Sequence, residues 1–191
     1  MKILPGGTEG NERLTSTVGL ALLALLVVET ATTLSLSTYL NVHLFLGLLL
    51  LPAVALKLAS TGWRALRYYS GSTPYRLLGP PLLPMRLLAP VLVAATLVLF
   101  GSGVGFLVTG DRGGLLLTIH AVSFAVWGVL VAVHVLVYVR RAVRYGLADW
   151  RGASRSAEGA TLRRSLVAGA VAGGVALALV TFPVQAAWFA R

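Results

Sequence analysis

Five runs of apolar residues, each long enough to cross a bilayer as a helix, leave few folds open to this chain. They fall at about 14–37, 40–60, 88–109, 115–139 and 165–188. Each holds ~20–25 residues, or ~30–37 Å of helix, which covers a hydrocarbon core of ~30 Å. A backbone in hydrocarbon must satisfy its own hydrogen bonds, so only helices and closed barrels span a membrane. Nothing in these runs alternates at period two, which argues against a barrel. The sequence therefore predicts an all-α, polytopic membrane bundle: five transmembrane helices in a single transmembrane domain over residues 1–191. Residues 61–87 are expected to form a cytoplasmic interfacial segment and 140–164 a cytoplasmic loop.

Composition agrees. Hydrophobic residues are 57% of the chain and charged residues 12%, with a mean hydropathy of +0.85. There is no cysteine. That excludes disulfides, thiolate-bound iron–sulfur clusters and covalently attached c-type haem. The N-terminal MKILPGGTEGNERL is short and polar, without the pattern of a typical cleaved signal peptide.

The net charge of +10 reads as topology rather than as nucleic-acid binding, because the arginines cluster between apolar runs. The second-to-third connection carries Arg64, Arg67, Arg76 and Arg86, and the fourth-to-fifth carries Arg140, Arg141, Arg144, Arg151, Arg155, Arg163 and Arg164. With Lys2 and Arg13, and leaving out Lys57 inside its run, 13 positive residues fall on one side against Arg112 and Arg191 on the other. The positive-inside rule then places a multi-pass protein in the cell membrane with its N-terminus cytoplasmic and its C-terminus outside.

Between Thr61 and Ala89 arginine interleaves with Trp63, Tyr68, Tyr69 and Tyr75, residues suited to the headgroup layer. Pro80, Pro81 and Pro84 should interrupt any helix there. The plainer reading is an interfacial anchor; the functional one has some of these arginines meeting haem propionates or a cytoplasmic partner.

Four nitrogen-bearing side chains stand inside the apolar runs at one spacing. His120 and His134 are fourteen residues apart in the fourth run, and His43 and Lys57 are fourteen apart in the second. Fourteen residues is nearly four helical turns, so each pair lies ~40° apart around its helix and ~21 Å apart along it. The second and fourth runs are parallel in this topology. His43 and His120 then share an outer depth, and Lys57 and His134 an inner one. Facing imidazoles on bundle helices are a means of holding haem iron, so two stacked b haems, or one, are expected. Lys57 ligates iron only as a neutral amine. Its alternatives are snorkelling to the inner interface or pairing with a propionate. For each histidine the plainer role is an interhelical hydrogen bond.

Supporting features are less specific. Gly47 is one turn beyond His43, where a missing side chain lets a flat ring approach. Trp127 is seven residues from both His120 and His134, between the two levels. Gly101, Gly103 and Gly105 in the third run, with Gly169 and Gly173 in the fifth, suit close helix packing. Glu29 is the only acid inside a run. It is a candidate proton acceptor at a quinone site, against the plainer reading of a carboxylic acid bonded to Thr30, Thr32 or Thr33.

The segments HLFLG, LTIHAVSFAVW and HVLVY resemble those of small actinobacterial-type membrane cytochromes b, similar in plan to the haem-b subunits that anchor formate dehydrogenases. The stretch LKLASTGWRALRYYSGSTPYRLLGPP is also similar, and the resemblance covers about 39–140. It implies a haem-binding core of the first four helices plus one further helix. It also implies non-covalent haem b on His43, His120 and His134, and electron transfer across the membrane. Relatives often carry another histidine four residues after the position of His134; here Tyr138 stands there, which draws attention to Lys57.

No nucleophile with its base, phosphate loop or tetrahedral metal site is legible. The expected role is an electron-transfer subunit of an oxidoreductase complex, working between a quinone pool and a redox partner subunit, in contact with membrane lipid; the resemblance implies a partner on the outer face, and assembly in a larger respiratory complex is equally open. The alternatives are a small transporter or proton channel using Glu29, Lys57 and the histidines as relay groups, or a cofactor-free accessory subunit.

Overall fold

The computed structural model of the chain describes residues 6–110, 113–151 and 158–189. All its regular elements are helices: α1 (Gly7–Thr32), α2 (Leu36–Tyr69), α3 (Thr73–Leu77), α4 (Leu83–Thr109), α5 (Gly114–Gly146), α6 (Ala160–Val180) and α7 (Phe182–Phe189). Short 3-10 turns occupy Thr33–Ser35 and Ala148–Trp150. Four helical stretches are long and apolar enough to cross a membrane: Gly7–Tyr69, Leu83–Thr109, Gly114–Trp150 and Ala160–Val180. Val126, Val129 and Leu136 of α5 and Leu87, Val91 and Leu97 of α4 are exposed, as side chains that meet lipid tails are in the absence of a bilayer.

The first stretch is two helices, not one. Its backbone leaves helical geometry at Ser35 (φ −145°, ψ 68°) and again at Tyr39 (φ −111°, ψ 18°). Asn11 Nδ2 donates to the Ser60 carbonyl, Lys57 Nζ to the Thr15 carbonyl, and Thr32 meets His43. Residues early in α1 thus meet residues late in α2, and the pair is an antiparallel hairpin.

Helix limits depart from the apolar limits, for local reasons. Thr61–Tyr69 contains no proline, and its single glycine, Gly62, stays helical, so α2 runs on into the expected interfacial segment until Gly71, whose φ of +84° only glycine adopts cheaply. Pro80 and Pro81 do fall between helices, but Pro84 opens α4, where its missing N–H costs no bond. Pro52 lies inside α2 and withholds a donor from the Leu48 carbonyl. The fifth run is divided at Thr181, because Pro183 cannot donate to the turn before it; α6 ends and α7 begins there.

The chain forms two compact units, Met1–Gly79 with Val139–Val180, and Pro80–Tyr138 with Thr181–Arg191. In the first, α1, α2 and α6 pack together. Leu14, Val18 and Leu22 form a buried stripe on α1 at four-residue spacing, and Leu49, Leu50 and Ala53 of α2 and Val167 and Ala178 of α6 are buried too. Among the described glycines the closest approach is between Gly174 and α2, where a Cβ would overlap the Leu49 carbonyl oxygen. Gly169 and Gly173, the expected packing glycines, have open space where their side chains would be among the described residues. The contact is set by the face that α6 turns to α2, which spacing alone does not reveal. In the second unit α4 and α5 are antiparallel: Thr96 meets Trp127, Ser102 meets His120, and Gly105 meets Leu116.

Candidate functional site

His43 is held at the closed end of the α1–α2 hairpin. Its Nδ1 lies 3.0 Å from Glu29 Oε1 and 3.0 Å from Thr32 Oγ1. Thr32 Oγ1 donates its single proton to the Glu29 carbonyl at 2.6 Å. Towards the imidazole it can therefore only accept, and the neutral ring carries its proton on Nδ1. The carboxyl of Glu29 accepts at the same nitrogen. Nε2 is then the ring nitrogen with the lone pair.

His120 is arranged in the same way on the second unit. Ser102 Oγ gives its proton to the Leu99 carbonyl (2.9 Å) and lies 2.9 Å from His120 Nδ1. It too can only accept, so His120 has the same tautomer, with its lone pair on Nε2. Gly103 seats the ring, with 3.4 Å between an added Cβ and His120 Cε1. Phe106 packs edge-on against His120 at 5.5 Å between centroids and against Trp188 at 5.9 Å.

The expected threonine partners of Glu29 act otherwise. Thr32 and Thr33 bond carbonyls three residues back in their own helix, the habit of helical threonines. The carboxyl faces His43 instead, and its Oε2 is buried without a partner among the described residues. Gly47 makes room for that carboxyl: a Cβ there would stand 3.7 Å from Glu29 Oε1.

The remaining candidates are placed separately. Lys57 Nζ donates to the Thr15 carbonyl at 2.8 Å, beside Gly19, where a Cβ would come within 3.0 Å of the amine. Trp127 is buried, and its indole Nε1 donates to Thr96 Oγ1 at 3.0 Å. His134 packs on Tyr138 one turn later, 4.9 Å between ring centroids. Glu29, His43, Gly47 and Lys57 thus belong to the first unit, and His120, Trp127 and His134 to the second. Thr32 and Ser102 were not singled out as histidine anchors; Ser102 is eighteen residues from His120 on another helix, and no local pattern marks it.

A second polar cluster occupies the arginine-rich end of the first unit. Asp149 is buried and accepts from Arg163 (2.8 Å) and Arg13 (2.9 Å). Burial by itself would raise its carboxyl, but the hydrogen bonds and charges of Arg163 and Arg13 hold it below the ordinary carboxylate value. Glu12 is gripped by Arg141, with Arg64 at 3.6 Å. These pairs tie α1 to the end of α5 and the start of α6.

Compared with protein-family models, with curated proteins and with solved structures, the chain gives no match.

Proposed function

We propose that this chain is a membrane cytochrome b, an electron-transfer subunit that crosses the bilayer five times, through α1, α2, α4, α5 and α6. In this reading it passes single electrons between a quinone pool and a redox partner subunit on the outer face. The observation that carries it is the matched anchoring of His43 and His120. An axial histidine ligates through one nitrogen and fixes its ring through the other. At both residues an oxygen within its own unit stands at Nδ1, the arrangement expected of an axial histidine that ligates through Nε2. Two unrelated hydroxyls, Thr32 and Ser102, impose that one tautomer. An interhelical packing role does not ask for such a coincidence.

A haem supplies its own equatorial nitrogens and, once bound, a one-electron carrier. In this reading His43, with Glu29 and Thr32 orienting its ring, and His120, with Ser102 orienting its own, would each serve as an axial ligand at the outer level. His134 holds a second level, and Trp127 lies between the two along α5. The amine of Lys57 donates to the Thr15 carbonyl, which favours a role in the α1–α2 contact over one at the iron.

The test is a dithionite-reduced minus oxidised spectrum, with a haemochrome assay per mole of purified protein. About two haems per chain fits both levels, and about one leaves His43 with His120 alone. A colourless protein after haem-sufficient expression sinks the reading. It would return the Glu29–His43 pair to a proton relay in a small transporter, or the chain to an accessory subunit.

A further inference from the structure

A cleft of about 460 Å³ opens at the arginine-rich end of the first unit, between the start of α1 and the end of α5. Three guanidiniums, of Arg13, Arg141 and Arg144, and two carboxylates, of Glu9 and Glu12, line it. Its wall therefore carries one net positive charge. The excess can be assigned to one residue. Arg13 pairs with Glu9 (2.6 Å) and Arg141 with Glu12, while Asp149, which also meets Arg13, is balanced by Arg163. Arg144 has no carboxylate within ion-pair reach among the described residues; its guanidinium lies over the Tyr145 ring, 5.6 Å from the centroid. An aromatic face orients a guanidinium but leaves its forked donors for an anion.

We propose that this cleft binds the phosphodiester of an anionic glycerophospholipid, with Arg144 as its phosphate ligand. A phosphodiester carries one negative charge, the charge that balances the wall. A phosphomonoester carries nearly two. A zwitterionic headgroup adds an ammonium, and the two carboxylates of the wall that could meet it are already held, Glu9 by Arg13 and Glu12 by Arg141. The volume lies within the usual ligand range of ~300–1,000 Å³. The membrane is the source the surroundings favour. Leu78 and Tyr145 complete the wall, and tyrosine suits the headgroup layer. The cleft begins just beyond the last apolar residues of α5, on the side that carries the excess of arginine. Basic pockets between spanning helices on that side suit anionic headgroups. The proposal rests on α5 lying in a bilayer and is independent of haem.

The test compares delipidated protein in neutral detergent, its helicity checked by circular dichroism, with Arg144→Gln and with Arg140→Gln. Arg140 is an exposed neighbour that does not line the cleft. Binding of phosphatidylglycerol, phosphatidylcholine and the deacylated headgroup glycerophosphoglycerol is read by native mass spectrometry. Phosphatidylglycerol should bind more tightly than phosphatidylcholine. Arg144→Gln should weaken it about tenfold, the loss of one charge-assisted contact, and Arg140→Gln should leave it unchanged. Equal losses in both variants, or no preference over phosphatidylcholine, would overturn the site. Deacylated headgroup binding as tightly as the lipid would overturn the membrane as its source.

Discussion

Ser102 Oγ lies 2.9 Å from His120 Nδ1 and also donates its proton to the Leu99 carbonyl, so it fixes which imidazole nitrogen is protonated. Thr32 does the same for His43 from a different helix pair. Ser102→Ala removes the acceptor while keeping the helix. In the haem reading it should weaken haem retention at that level by ~10–100-fold, the usual cost of losing an outer partner of a ligating histidine. Haem titration of the apoprotein measures it. Retention equal to wild type would reduce Ser102 to packing.

Thr32→Val should have a parallel but smaller effect, because Glu29 Oε1 also lies 3.0 Å from His43 Nδ1. The double variant Thr32→Val with Glu29→Leu should lose more than the sum of the two single ones, since either acceptor alone still holds the one proton. Additive, independent losses would show that the two do not act on the same nitrogen.

Gly174 lies against the Leu49 carbonyl, closer than any other described glycine lies to a neighbour. Gly174→Ala should cost about 1–3 kcal/mol, because backbone rather than a yielding side chain stands in the way. Gly169→Ala, where the space is open among the described residues, should be neutral or slightly stabilising by helix propensity. Thermal melts of the two variants in one detergent decide it; equal stability would mean that α6 does not meet α2 at Gly174.

Lys57→Met keeps length and apolar bulk but loses the bond to the Thr15 carbonyl. The expected result is a melt lowered by about 1 kcal/mol, with an unchanged reduced spectrum. A shifted inner-haem band would instead make Lys57 an iron ligand.

The Asp149 carboxyl is held below its ordinary value in the folded chain. Such a group stabilises the fold above its unfolded value, and that stability is lost as pH falls through the lowered folded one. Melting temperature should therefore drop on acidification below the ordinary carboxylate range, and Asp149→Asn should flatten that dependence. The variant should also lose about 3–5 kcal/mol at neutral pH, since it leaves buried Arg163 without its carboxylate. A neutral-pH melt equal to wild type would show that Arg163 is paired elsewhere.

Apolar run length, the sides on which arginine gathers and the fourteen-residue spacing of His43 to Lys57 and His120 to His134 are one-dimensional quantities, and the sequence states them in full. They determine helices, their approximate limits and the candidate nitrogens, because a bilayer imposes one length and one hydrogen-bonding solution on every span. What stands beside each candidate depends on the rotation and offset of one helix against another. Lipid tails are as apolar as leucine, so burial does little to choose among those rotations. Close backbone contact at Gly174 and polar contacts such as Asn11 with Ser60 accompany the one adopted. Only the tertiary structure therefore decided that Glu29 meets His43 rather than its neighbouring threonines, that Ser102 holds His120, and that Lys57 reaches the Thr15 carbonyl.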